Sequence, residues 1–270
     1  MGNNKGLWVS IWKSLQEGSF TGKALNYLKL RLPYTLFHLP ELDFSGEHQF
    51  VGEIIYDDIC LPPYYGHHKN NDLLPFIALI QAIDPQLVIE LGTAHGNMAA
   101  NVCRQTNAEV VTVNALPEQM SGDMTTFALQ RDEIGRVYRK YGFDGRVTQV
   151  YENTLRLDLV NFLSPSTADL AIIDACHDFE YVVNDFLKVE PFIRPGGVVL
   201  LHDTQPLTAG HLSTSYLACM NLRRRGWNIH HIRDTWWGIW ICGGIRDSTV
   251  RWLFSELPRS PLWNYLRKMY

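Results

Sequence analysis

Leu87-Val-Ile-Glu-Leu-Gly-Thr-Ala-His-Gly-Asn97 is the stretch on which the fold turns. Leu87, Val88, Ile89 and Leu91 make an apolar strand, Gly92 ends it, and residues 97–105 continue as a helix. A strand that passes through two glycines into a helix opens an α/β crossover, and open parallel sheets bind ligands beyond the carboxyl ends of their strands. Gly92 and Gly96 let the backbone approach a ligand closely, and the helix start offers free amides. The glycine spacing is not GxGxxG, and no Lys-Ser/Thr pair follows as in a phosphate loop. Glu90 is an acid in an otherwise apolar strand. Burying it without a partner is costly, and a cationic or amine-bearing ligand would offset that cost.

The chain on either side repeats the alternation. Residues 72–83 read as a helix with Asn71 or Asp72 near its cap. Short apolar strands follow at 109–113, 147–150, 170–173 and 198–201, with a helix at 181–189 and a turn at Pro195-Gly196-Gly197. Trp227-Asn-Ile-His-His-Ile232 and Trp237-Gly-Ile-Trp-Ile241 read as a hairpin at the sheet edge. The expected fold is α/β and Rossmann-like, a mostly parallel seven-stranded sheet with helices on both faces.

Residues 61–270 form one domain on this reading. Residues 1–60 form an N-terminal helical accessory region, in which Leu7, Trp8, Ile11, Trp12 and Leu15 share a helical face and Ala24, Leu25 and Leu28 suggest a second helix. Such an arm packs on its own core or on a sister subunit, with a membrane-surface helix as the alternative. The excursion at 115–145 is long for a connection and reads as a lid or an oligomer contact.

Composition narrows the class. The 270 residues are 46% hydrophobic with a net charge of -4, which suits a packed core and gives no basic stripe for nucleic acid. Arg223-Arg224-Arg225 is the one short basic cluster and reads as a solvated helix end. Five cysteines are widely spaced with no CxxC pair, pointing to a reduced, cytoplasmic protein. No apolar run is long enough for a membrane span, and no signal peptide is expected.

Two strand ends carry a second constellation. The strand at 170–173 runs into Asp174-Ala-Cys-His177, and the strand at 198–201 runs into His202-Asp203-Thr204. In a parallel sheet both ends lie on the same edge as Gly92. Carboxylates and imidazoles from adjacent strand ends make a divalent metal site. Tyr64, Tyr65, His67 and His68 lie in a loop before the first helix, where aromatic rings can line a pocket for a sugar or flat ring.

The loop resembles the first motif of class I methyltransferases that use S-adenosyl-L-methionine (SAM), an acid followed by Gly-x-x-x-Gly. Ile173-Asp174-x-x-His177-x-x-x-Tyr181, then Pro195-Gly196-Gly197 and His202-Asp203-Thr204, closely resembles one branch of that family. It holds the metal-dependent sugar O-methyltransferases of antibiotic biosynthesis and the cephalosporin hydroxylase-like proteins. Catechol O-methyltransferase is a more distant relative. The resemblance covers roughly residues 70–205.

It implies a SAM site over Glu90, Gly92, Thr93, Ala94, Gly96, Asn97, Asn114, Asn153, Thr154 and Asp174. It implies a metal at Asp174, His202 and Asp203, with Asp174 and His177 catalytic and His177 as general base. Two positions depart from the branch. Asn114 stands where an acid usually grips the ribose, with Glu118 near enough in sequence to help. His202 stands where Glu is often a third ligand, so a transition metal competes with magnesium. The implied activity is O-methylation of a small-molecule hydroxyl, a sugar or phenol of a natural product or glycan, in a homo-oligomer. The alternatives are a metal-dependent hydroxylase or hydrolase on the same fold, and a non-catalytic SAM-binding subunit.

Overall fold

The computed structural model describes residues 39, 41–42, 53–56, 68–120, 126, 128–205, 207–208, 211–212, 214–233 and 235–243. The helical arm expected within 1–60, and Tyr64, Tyr65 and His67, lie outside the described residues.

The main sheet is built from β1 (Glu41–Leu42), β2 (Leu87–Leu91), β3 (Glu109–Asn114), β4 (Val147–Tyr151), β5 (Ala168–Ile173), β6 (Ile193–Leu201), β9 (His230–Ile232) and β10 (Gly238–Ile241). A separate two-stranded ribbon pairs β7 (Leu207–Thr208) with β8 (His211–Leu212). The main sheet runs β1-β9-β10-β6-β5-β2-β3-β4. Every pairing from β6 to β4 is parallel, while β10 is antiparallel to both β6 and β9. This is the expected Rossmann-like, mostly parallel sheet, seven strands with one reversed near the edge. To these seven β1 adds a two-residue strand parallel to β9, which the sequence pattern did not predict. Two residues are too few for a periodic signal.

Helices cover both faces. Against one face, α1 (His68–Ile83) and α2 (Asn97–Gln105) pack Phe76, Ile77, Ile80, Ala99 and Val102 onto Val88, Val110, Leu170 and Leu200. On the other, α4 (Phe179–Val189) and α5 (Thr214–Arg224) pack Val182, Phe186, Tyr216 and Cys219 onto Ile89, Val113, Ala171 and Val199. The short α3 (Arg136–Lys140) belongs to the excursion after β3. Two boundaries differ from expectation. α1 starts at His68, a turn before Asn71 or Asp72, and β6 starts at Ile193, so Pro195-Gly196-Gly197 lies inside the strand. Gly196 there has φ 81, and the β5–β6 register shifts between Ala168 and Leu170, an irregularity that lets the strand carry the Pro-Gly pair.

At the amino ends of the strands, Asp169 ties three segments. One carboxylate oxygen accepts from the amides of Gln86 at 2.8 Å and Leu87 at 2.9 Å, and the other accepts from Arg194. Burial alone would raise its pKa, but Arg194 and the two amides outweigh that and hold the carboxyl below its ordinary value. A lowered folded-state pKa adds stability above the unfolded value of 3.8, which is lost as pH falls through the folded value. Asp169→Ala should therefore cost about 2 kcal/mol at neutral pH. Urea unfolding should show this deficit at pH 7 and a smaller one at pH 3.

Candidate active site

Gly92 and Asp174 meet where β2 and β5 end side by side. The Asp174 amide donates to Leu91 O at 2.8 Å. A Cβ on Gly92 would lie 2.0 Å from the Asp174 carbonyl oxygen, and Gly92 has φ 101. Only glycine fits, on both space and conformation. Between β2 and β5 the chain reverses its direction of travel across the sheet, and a cleft opens there. Gly92, Val113, Asn114, Ala115, Thr154, Ala175 and Cys176 line it.

The loop above β2 is held tightly. Gly92 and Thr93 both donate to Val113 O, at 2.9 and 3.2 Å. Ala94 has φ 44, strained for a residue with a Cβ, and its amide donates to Asn114 Oδ1 at 2.9 Å. Gly96, φ 84, leads into α2, whose first residue is Asn97. Glu90 is fully buried beneath the loop and accepts from the Thr112 hydroxyl. Burial, helped by the charge of Asp174, pushes its pKa up to about 8 against the pull of Thr112 and the Ala99 amide.

The ribose and adenine positions divide their work. Asn114 lines the cleft, but its oxygen already takes Ala94 N, and its amide nitrogen donates to Ala115 O at 2.8 Å. Glu118 is exposed. Asn153 shapes its own turn, accepting from Leu155 N at 2.9 Å and donating to Gln119 O at 3.1 Å. Thr154, beside it, reaches the cleft. Val113, Ala115, Ala175 and Cys176 were missed by the motif reading. Adjacency to Asn114 and Asp174 was their one available signal.

The second constellation converges. His177 Nδ1 lies 2.6 Å from Asp203 Oδ2, and His177 Nε2 lies 3.2 Å from Asp174 Oδ1. His202 Nδ1 lies 3.0 Å from Asp174 Oδ1 and 3.4 Å from Asp203 Oδ1. Both imidazoles therefore bridge the same two carboxylates. Burial opposes ionisation of Asp174, but the charge of His202 and hydrogen bonds from both rings hold its carboxyl far below the ordinary range. Asp203 is lowered in the same way against its burial. Burial also opposes protonation of His177, but Asp174 and Asp203 override it and push its pKa up to about 9. The 202–204 turn has Asp203 at φ 55 and is fixed by Thr204 N donating to Trp236 O at 3.0 Å.

Donor atoms of Asp174, His177 and His202 all lie within 4.8 Å of one another. These three donors are close enough to reach one ion, and the set holds His177 where the sequence reading placed Asp203. His68 begins α1, where its backbone alone is described.

Residues 89–204 match a family model described as a methyltransferase domain. The matched segment runs from inside β2 to Thr204 and so contains both the loop and the cluster. Over these residues the chain is similar to that methyltransferase domain. Among solved structures, an O-methyltransferase family protein from Burkholderia thailandensis is 19% identical with a TM-score of 0.46, over 64% of this chain and 55% of that one. The chain thus spans about half the length of that relative. A methyltransferase from Podospora anserina bound to SAH is 15% identical with a TM-score of 0.47, over 62% and 75%. An O-methyltransferase from Bacillus cereus in complex with SAH is 15% identical with a TM-score of 0.45, over 67% and 80%. No curated protein matches the chain significantly in sequence.

Gly92→Ala tests the strand-end contact. It should cost about 3 kcal/mol in stability, from a clash with backbone and a left-handed φ. Denaturant midpoints that match wild type would contradict the contact.

Proposed function

We propose that this chain is a SAM-dependent O-methyltransferase acting on a hydroxyl of a small molecule, a sugar or phenol of a natural product or glycan. One observation carries the reading. The glycine loop after β2 and the carboxylate–imidazole cluster after β5 and β6 share one strand-end edge, with Gly92 against Asp174.

In this proposal SAM lies across the loop from Gly92 to Asn97, along Asn114 and Thr154, with Asp174 at its reacting end. The Asp174 carboxylate, which keeps its charge, stands at this end of the cleft, and the buried Glu90 beneath the loop can ionise beside a cofactor that bears an ammonium and a sulfonium. Gly92 lets the Asp174 backbone close against the loop. Methyl transfer from a sulfonium is a displacement by a lone pair, so alignment is the main requirement. A hydroxyl acceptor must also lose its proton, and His177, held between two carboxylates, is positioned as the general base. Asp174, His202 and Asp203 would hold a divalent metal. When bound, it lowers the pKa of a coordinated hydroxyl and offsets the carboxylates that retain the His177 proton. Tyr64, Tyr65, His67 and His68 are proposed to border the acceptor, and a homo-oligomer in the cytoplasm is the proposed setting.

His177→Ala should leave SAM binding intact by calorimetry and lower turnover about 10²- to 10⁴-fold. Unchanged turnover would remove His177 from the base role. Prolonged chelation should reduce methyl transfer about tenfold or more, restored by adding back a divalent cation. Full activity after chelation, with no metal found by elemental analysis, would remove the metal.

A second reading rests on the imidazole of His202 among the donors, because imidazole suits transition metals better than magnesium. Iron retained through purification, with no methyl transfer from SAM, would favour a hydroxylase-type enzyme on this fold.

A further inference from the structure

Part of the excursion after β3 folds back onto the glycine loop. The Gly135 amide donates to Ala94 O at 2.9 Å and the Val137 amide donates to His95 O at 2.8 Å. The two segments are zipped together by backbone. The Tyr138 ring packs against both glycines of this contact. A Cβ on Gly96 would lie 2.7 Å from Tyr138 Cδ1, and one on Gly135 would lie 2.6 Å from the Tyr138 hydroxyl. Neither position has room for a side chain while the ring is there.

From Tyr138 a line of hydrogen bonds runs into the sheet. Its hydroxyl donates to Gln149 Oε1 at 3.1 Å, and Gln149 Nε2 donates to Thr93 Oγ1 at 3.0 Å. The hydroxyls of Thr93 and Thr112 are 2.6 Å apart, and Thr112 donates onward to Glu90. Because the Thr112 proton is used on Glu90, the Thr93 hydroxyl is the donor between the two. The line therefore has one direction, each middle group accepting on one side and donating on the other. Such chains reinforce their members. The sheet register makes this geometry available, since Glu90 is paired with Thr112 and Thr112 with Gln149 across β2, β3 and β4.

Ala94 is the point on which these supports act. Its left-handed φ persists only where the surroundings over-determine it. Asn114 takes its amide, Gly135 takes its carbonyl, and Thr93 beside it is held by Gln149.

We propose that Tyr138 is a positioning residue that, with Gln149, sets the shape of the 92–97 loop and thereby its affinity for SAM. The inference rests on the SAM reading for its consequence, but not for the brace itself. The experiment uses the full chain with Tyr138→Phe and Gln149→Met, changes that keep bulk and remove hydrogen bonds. Without ligand, amide exchange in the peptide covering 92–97 should rise about fivefold, the equivalent of one lost hydrogen bond. The SAM dissociation constant and KM should rise about fivefold as well, with kcat at saturating SAM within about twofold of wild type and Tm little changed. A lower Tm with unchanged KM and unchanged loop exchange would mean a merely structural contact and overturns the proposal. So does a fall in kcat with KM unmoved. Wild-type protein that fails to bind SAM overturns the cofactor reading, and loop exchange then judges the brace alone. Normal wild-type binding with unaffected variants overturns only the brace.

Discussion

The contact between Gly92 and the Asp174 backbone is the constraint from which the site follows. Two strand ends that must lie one hydrogen bond apart, Asp174 N to Leu91 O at 2.8 Å, leave no space for a Cβ between them. That closeness puts the loop that follows β2 and the acidic turn that follows β5 at the same height above the sheet. Parallel pairing of β5 with β6 then brings His202 and Asp203 alongside, through His202 N donating to Ile173 O at 3.0 Å. A single residue without a side chain thus joins two sets of groups about eighty positions apart in the chain, at 90–97 and 174–203.

The same closeness couples them electrostatically. Asp174 is among the groups that raise Glu90, although the two side chains sit on different strands. Each carboxylate finds a different solution to burial. Glu90 moves toward the neutral form, with a hydroxyl donor for company. Asp174 and Asp203 keep their charge because two imidazoles stand between them. One buried acid is thus held mainly in its protonated form, and the acid pair is compensated by histidine.

Much of this was legible from sequence because its signals are local. The strand at 87–91, the glycines at 92 and 96, and the polar ends after 173 and 201 are runs of adjacent residues, and parallel pairing does the rest. What was not legible depends on long-range backbone contact. Nothing in the segment around Gly135 announces that its amide seeks Ala94 O, because any backbone can donate. The turn taken by Asn114 was hidden for a related reason. Its type suggested a ligand contact, but its oxygen faces the strained amide of Ala94, a strain visible only in three dimensions. β1 escaped because its two residues pair with β9 some 190 positions later.

The antiparallel strand near the edge also bears on the chemistry. β10 enters between β6 and β9, and the turn before it delivers Trp236 and Trp237 to His202. The Trp237 ring is fully buried, stacks on Phe76 at 5.4 Å, and meets the His202 ring edge-on at 4.7 Å. Trp236 closes from another side at 5.6 Å. A ring confined by two indoles cannot readily turn over, so the nitrogen that faces Asp174 and Asp203 is set by packing, not by those acids alone. A metal ligand needs this kind of outer support to hold its aim. The buried Trp237 and the half-buried Trp236 therefore also bear on which atom of His202 reaches the cluster.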